Sequence, residues 1–361
     1  MDRRSFLKKS TIGAGAAGAA ALAAPAYAQG NRTLTMVTTW PRGLAGVHDA
    51  ADRVANMITE MSDGAVTVDL KAAGELVGAF EVFDAVTSGQ ADMYHGADYY
   101  FVNQHPGYAF FTAVPFGMTA QELVNWYYHA GGAEMHDELG QIFGLKSFLA
   151  GNTGAQAGGW FRQEINGPED FQGLRFRMPG LGGEALGKMG ASVQNLPGGE
   201  VYQALASGAI DGTEWIGPWS DQSAGFQEIT KIYYTAGFHE PGAGLSLATN
   251  RDVFDSLTPA QQRIIEIAAG ECHQWNLAQF LANNGSALEQ LQAGGVQVRE
   301  FPESVWDAMG AAAQETMDQY QGDDLFAQIS DSAMASMRAS SNWITRSEGA
   351  YRAQRDRVLG S

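Results

Sequence analysis

The chain reads as an α/β protein of two similarly built lobes followed by helices. Three observations predict this. Strand and helix patterns alternate from residue 34 to about residue 92, as in a parallel α/β layer. A helix-to-strand turn, Ala85-Val86-Thr87-Ser88-Gly89-Gln90-Ala91-Asp92, returns in pattern as Ala204-Leu205-Ala206-Ser207-Gly208-Ala209-Ile210-Asp211. With 361 residues, 45% of them hydrophobic, the chain can bury a large core, and two lobes are expected.

Taken in order, residues 34–40 read as a strand stopped by Pro41. Residues 49–61 place Val54, Met57, Ile58 and Met61 on one helical face, and Asp63-Gly64 ends the helix. Residues 66–70 alternate as a second strand. The Phe80, Phe83, Val86 spacing predicts a helix over 76–88, with Gly89 where a C-cap belongs. The segments beyond each repeated Asp, Met93-Tyr94-His95 and Gly212-Thr213-Glu214-Trp215, then face one another. In open α/β sheets ligands sit beyond the carboxyl ends of strands, so these segments should line a cleft. The second lobe spans 151–245, and 245–250 reads as a returning strand. Thr258 is the expected N-cap of a helix opened by Pro259. Past it the chain is mainly helical. Trp306, Met309, Met317, Leu325, Ile329, Met334 and Met337 form a stripe of the kind that packs into a core.

The start of the chain sets the compartment. Arg3-Arg4-Ser5-Phe6-Leu7-Lys8-Lys9, a Gly/Ala run over 11–24 and Ala26-Tyr27-Ala28 read as a twin-arginine signal peptide over residues 1–28. Its removal takes away four basic residues and one acidic residue, moving the charge from −18 to −21. So acidic a surface repels nucleic acid and anionic lipid, and no nucleic-acid partner is expected. An anionic ligand needs a local concentration of positive charge. The single cysteine, Cys272, can form no internal disulfide and reads as a buried structural residue.

In Gly173-Leu174-Arg175-Phe176-Arg177-Met178-Pro179-Gly180, Leu174, Phe176 and Met178 share a strand face and leave Arg175 and Arg177 on the other. An arginine ending a strand beside a glycine-rich turn can grip a carboxylate with two parallel hydrogen bonds. Gly180-Leu181-Gly182-Gly183-Glu184-Ala185 has the outline of a dinucleotide turn, but Pro179 interrupts it, and 45 glycines produce such matches readily. Glu214 beside Trp215 at a strand end suits a cation with an apolar wall, and Glu240 could add a second carboxylate. An ordinary capped loop explains the same residues. Carboxylate and carbonyl oxygens are hard donors suited to Ca²⁺ or Na⁺, and no His or Cys cluster fits zinc. The seven histidines are scattered, there is no G-x-S-x-G elbow, and no catalytic apparatus is visible.

Ala73-Gly74-Glu75-Leu76, Val114-Pro115-Phe116, Gly158-Gly159-Trp160-Phe161-Arg162, residues 173–177 and residues 208–215 together resemble the solute receptors of tripartite ATP-independent periplasmic (TRAP) transporters. The resemblance covers nearly the whole mature chain. Asn152-Thr153-Gly154 with Gln156, and Glu214-Trp215, are similar to the branch that binds 2-oxo monocarboxylates such as pyruvate, with a lactate-binding near relative. The resemblance implies a two-lobed periplasmic-binding-protein-like α/β fold with a hinge and long bridging helices. Lobe I would be 29–150 with about 246–290, lobe II 151–245, and 291–361 would form C-terminal helices across both. It implies that Arg177 clamps the carboxylate and that Gln156, Glu214, Glu240 and the Trp215 carbonyl hold a metal ion chelating the ligand. Asn152, Tyr99 and Tyr100 would finish the pocket. With Arg177 and the ligand carboxylate cancelling, two glutamates call for Ca²⁺, with Na⁺ the alternative if one glutamate coordinates. The expected role is a non-enzymatic periplasmic receptor handing its acid to a TRAP membrane permease. A metal-dependent enzyme or a ligand sensor for the same acids are the alternatives, and a homodimer through the C-terminal helices is left open.

Overall fold

The computed structural model describes residues 31–360, so the signal peptide expected over 1–28 lies outside the described residues. Leu34 and Met36 on one face of β1 (Arg32–Thr38) and Val37 on the other are all buried, so the strand is covered on both sides. The chain then forms the helix Val47–Met61 and β2 (Val66–Lys71), which pairs parallel to β1. Val54 and Ile58 of that helix are fully buried, whereas Met61, expected on the same face, is 41% exposed because it lies on the last turn beyond the sheet. The helix expected over 76–88 is shorter, Val82–Thr87. Gly74 at φ +85°, the Arg42–Glu75 ion pair at 2.6 Å and a Gly78 N–H donated to Glu81 hold 74–81 in turns instead.

After β3 (Met93–Gly96) come a single turn, Asp98–Phe101, helices Ala120–His129 and Gly132–Ile142, and β4 (Leu145–Asn152). The chain crosses to a second sheet with β5 (Gly159–Phe161), β6 (Arg175–Arg177), β7 (Ser192–Gln194), β8 (Gly212–Thr213) and β9 (Ile232–Tyr234), then returns as β10 (Gly244–Asn250). The first sheet has the order β2-β1-β3-β10-β4. The second runs β11-β9-β5-β8-β6-β7, with β11 (Gln297–Arg299) joining from the C-terminal region.

The repeated turn is structurally the same in both sheets. Gly89 and Gly208 take φ +78° and +74°, as the left-handed helix stop requires. Gln90 and Ala91 N–H groups donate to Ala85, as those of Ala209 and Ile210 do to Ala204. The Asp92 carboxylate then accepts Thr35 N–H at 2.7 Å, and that of Asp211 accepts Arg175 N–H at 3.1 Å. Each Asp thereby registers its strand, β3 or β8, parallel to its neighbour, β1 or β6.

The two crossings, 153–158 and 235–243, are bonded to each other. Thr153 N–H donates to Ala243 O at 3.0 Å, Gln156 N–H to Glu240 O at 2.9 Å and Gly237 N–H to Gln156 O at 2.9 Å. The 35-residue helix Pro259–Ala293, N-capped by Thr258 as expected and completed by Gln261 as a capping box, runs along this junction. It packs on β4 and Val47–Met61 in the first lobe and on Pro218–Ala224 in the second. Its Cys272 is buried, with burial pushing the thiol up to about 12.

Helix Glu303–Asp318 packs on Gly180–Lys188 of the second lobe, burying Val305 and Met309 at about 1.5–3 kcal/mol each. Helix Asp324–Ile344 packs on the two helices of the first lobe. Helix Ala350–Leu359 buries nothing. No helix among the described residues is long and apolar enough to cross a membrane.

Candidate ligand and cation site

Strand ends and the two crossings deliver the site. β6 pairs with β8 so that Arg177 lies opposite Thr213, and Glu214 N–H donates to Arg177 O at 3.3 Å. Arg175 and Arg177, alternate residues of one strand, meet opposite fates. Arg175, its side chain 47% exposed, pairs with Asp211. Arg177 is fully buried beneath the other lobe. Its Nη1 donates to Glu214 Oε1, its Nε to Leu196 O at 3.0 Å and its Nη2 to the Tyr100 hydroxyl at 3.5 Å. The guanidinium sits 5.1 Å from the Trp215 ring centroid. Burial is the largest single influence and opposes its charge, but Glu214, Tyr100 and Tyr99 together outweigh it and hold the guanidinium protonated beyond its ordinary range.

Glu240 has no such counterion. Burial, then the nearby Glu214 carboxylate, push its carboxyl well above the ordinary value, and Arg177 offsets only part of this. Four buried acceptors have no hydrogen-bond partner: Gln156 Oε1, Glu214 Oε2 and both oxygens of Glu240. Gln156 and Glu240 line the same cavity, and Glu214 and Glu240 lie close together. The Gln156 Nε2 donates to Thr153 Oγ1 at 3.0 Å, which leaves the Oε1 free for a cation. Among the described residues nothing donates to the Trp215 carbonyl. Unpaired buried carboxylate oxygens cost several kcal/mol each, so this donor set fits a hard cation and is poorly stable without a cation or a proton.

The Trp215 loop is held rigidly. Asp221 accepts Ile216 N–H at 3.0 Å, Gly217 N–H at 2.9 Å and Trp160 Nε1–H at 2.9 Å, while Trp215 Nε1–H donates to Ser220 Oγ at 3.1 Å. Trp40, Tyr99, Tyr100, Gln156, Trp215 and Glu240 line a narrow cavity of about 10 Å³, room for little more than one water in this closed arrangement. Burial, then Glu240, push the Tyr99 phenol well above its ordinary value, so it faces the cavity as a neutral donor.

The structure thus brings together Arg177, Gln156, Glu214, Trp215, Glu240, Tyr99 and Tyr100. Asn152 stands behind them. Its Oδ1 accepts Gly154 N–H at 2.7 Å, its Nδ2 donates to Gly242 O at 3.4 Å and its N–H donates to Asn276 Oδ1 at 3.1 Å. Its amide braces the crossings rather than lining the cavity. Two residues were missed from sequence. Trp40 walls the cavity and donates through Nε1 to His95 Nδ1 at 2.9 Å. His239 lies against both glutamates. Its adjacency to Glu240 was the available signal, but seven scattered histidines gave no reason to single it out. The glycine-rich turn after β6 opens helix Gly180–Lys188, and its Gly180 and Gly182 are packed against Tyr99 and His239, as a nucleotide phosphate would require them not to be.

Comparison with known proteins gives this geometry a family. Residues 37–323 match the model of bacterial extracellular solute-binding protein, family 7. A monocarboxylate 2-oxoacid-binding periplasmic protein of Nostoc sp. is 40% identical over 273 residues, 76% of this chain and 75% of the relative. A TRAP transporter solute-binding protein of Bordetella bronchiseptica superposes with TM-score 0.89 at 31% identity, covering 91% of this chain and 98% of that one. It crystallised as a mixed-occupancy dimer, with co-purified calcium and picolinate in one site and the other apo. A TRAP periplasmic solute-binding protein of Pseudoalteromonas atlantica with bound sodium and pyruvate gives 0.87 at 37%, covering 90% and 99%. The two-lobed frame, the crossed hinge and the cleft donors therefore have one source: the chain belongs to the family 7 bacterial extracellular solute-binding proteins, the receptors of TRAP transporters.

Proposed function

We propose that this receptor captures a small 2-oxo or 2-hydroxy monocarboxylate of the pyruvate or lactate type together with a cation, and hands it to a TRAP membrane permease. One observation carries the reading. A fully buried arginine stands beside four unpartnered acceptor oxygens at the mouth of a small aromatic cavity. The arginine supplies a bidentate anchor for a carboxylate. In the structure Glu214 occupies one side of that fork, and Nη2 bonds the hydroxyl of Tyr100, a residue that lines the cavity. Gln156, Glu214, Glu240 and the Trp215 carbonyl would hold the cation, whose chemistry is to neutralise the glutamates and bind the acid's carboxylate and its neighbouring oxygen. Two glutamates favour Ca²⁺ over Na⁺. Pyruvate and picolinate, found in the two relatives, both carry a donor atom beside the carboxylate, which is what a five-membered chelate needs. Trp40, Trp215 and the tyrosines crowd the cavity, so an acid admitted when the lobes part would carry only a short apolar tail.

Native mass spectrometry of the purified protein should find one acid and one cation per chain. Calorimetry should then show pyruvate binding that Arg177→Ala abolishes and a chelator weakens. Absence of heat with every C2–C6 oxo- or hydroxy-acid in the presence of Ca²⁺ would overturn the reading.

The lobes would close about the crossings, with 29–150 and about 246–290 moving against 151–245, and 291–361 packed across both. Export would follow the twin-arginine route, tested by Arg3→Lys with Arg4→Lys, which should leave the protein in the cytoplasm. Trp343, Tyr351, Val358 and Leu359 lie exposed along the C-terminal helical stretch, beside exposed Arg346 and Arg357, while Arg352 and Arg355 pair with Glu348 and Asp356. On a chain of charge −18, this basic apolar face suits the acidic body of a second copy. Light scattering should therefore show a dimer that truncation after residue 344 dissociates; an unchanged mass would exclude that contact.

A further inference from the structure

We infer that His239 is a nitrogen donor to the cation site, which thereby accepts first-row divalent ions such as Zn²⁺ and Co²⁺ alongside the hard cation assigned above. The inference deepens the proposed function, since it concerns the same cluster. His239 is 2% exposed, and neither ring nitrogen has a hydrogen-bond partner. A buried imidazole with both nitrogens unpaired calls for an explanation. Its Nε2 lies 3.4 Å from Glu214 Oε2 and 4.0 Å from Glu240 Oε1, and both oxygens are themselves unpartnered. The donor atoms of the three residues lie within 4.8 Å of one another. Donors sharing one ion at metal–ligand lengths of about 2.0–2.2 Å stand roughly 3–4.4 Å apart, so these separations need little adjustment.

The backbone reserves space for this ring. A Cβ on Gly237 would lie 2.5 Å from His239 Cε1 and 2.8 Å from its Nδ1, and a Cβ on Gly182 would lie 2.7 Å from the His239 Cβ. Gly237, in the crossing, lies against the ring, and Gly182, in the first turn of helix Gly180–Lys188, lies against its Cβ stem. Ca²⁺ and Na⁺ draw on oxygen donors and leave an imidazole unused. Zn²⁺ and Co²⁺ accept imidazole readily, so Glu214, Glu240 and His239 offer them a three-donor face, with positions left for the acid's carboxylate and its neighbouring oxygen. Sequence spacing does not display this cluster, because Glu214 and His239 meet only across the fold.

The test uses chelator-stripped protein titrated calorimetrically with CoCl₂ and with CaCl₂, each with and without pyruvate, in wild type and His239→Gln. Wild type should bind Co²⁺ more tightly than Ca²⁺. The variant should lose about tenfold or more in Co²⁺ affinity, a larger factor than any change in its Ca²⁺ affinity, because an amide oxygen replaces the nitrogen donor. Proton NMR of the Co²⁺-loaded wild type should show a paramagnetically shifted, exchangeable imidazole N–H with through-space contacts to Phe238, a readout that does not depend on the variant folding. Equal Co²⁺ affinity in both proteins, or no shifted imidazole resonance in Co²⁺-loaded wild type, overturns the inference. Loss of Ca²⁺-dependent pyruvate binding would instead remove the proposed function, leaving the Co²⁺ titration to decide His239 by itself.

Discussion

The two lobes share a backbone plan and divide the chemistry unequally. β2-β1-β3 and β7-β6-β8 run parallel in the same order, each registered by an Asp after a Ser-Gly stop. Counting from those Asp residues, Val37 occupies in the first lobe the place Arg177 holds in the second, and His95 the place of Glu214. In the first lobe burial lowers the His95 pKa to about 4, so the imidazole is neutral, accepting from Trp40 and bonding Ala150 O through Nε2. In the second lobe the matching pair is ionic. The frame supplies positions, and side chains decide which lobe carries charge. One charged wall facing an aromatic, neutral one avoids desolvating two sets of ions when the lobes meet.

The most severe way to break this division is Arg177→Ala, which strips the charged lobe of its only buried cation beside Glu214. Acid binding should fall by on the order of 100-fold or more, read by calorimetry, with the protein also destabilised by roughly 3–5 kcal/mol. Glu240→Gln should be milder and change character. It removes one of two negative charges, so Ca²⁺ affinity should drop by about 10–100-fold while Na⁺ loses little, narrowing the preference between them. A retained Ca²⁺ preference would show that Glu240 is no cation ligand.

The neutral lobe answers to pH. His95 and His273 are both buried with pKa values lowered to about 4 from an ordinary 6.5. Between those values the unfolded chain binds more protons, so the stability they contribute is complete above pH 6.5 and is lost as pH falls through about 4. Urea titrations should show this fall, and His95→Gln should flatten part of it by on the order of 1–3 kcal/mol at the acid end. Smallest of all, Tyr100→Phe removes one long hydrogen bond to Arg177 and should weaken acid binding by about tenfold or less.

Much of this was readable from sequence because it lies in local pattern. The repeated Ala-x-x-Ser-Gly-x-x-Asp segment announced the duplicated lobes, and Arg177 stood out at a strand end in a chain poor in basic residues. Periodicity misjudged residues 76–81, where Gly74, Gly78 and the Arg42–Glu75 pair decide the backbone through contacts no period reports. Asn152 was read as pocket lining, but its amide is spent on Gly154 and Gly242, a matter of orientation that spacing cannot convey. His239 and Trp40 joined the site through packing between distant segments, which one strand or helix does not display.

Gln156 and Glu240 lie in neither sheet; they ride on the two chain crossings, tied by Gln156 N–H to Glu240 O. Any bending there must alter the spacing of their side chains. Unlatching the halves and dismantling the grip on the cargo would then be one mechanical event, so a membrane partner that only pries the receptor apart could eject the solute without ever touching it.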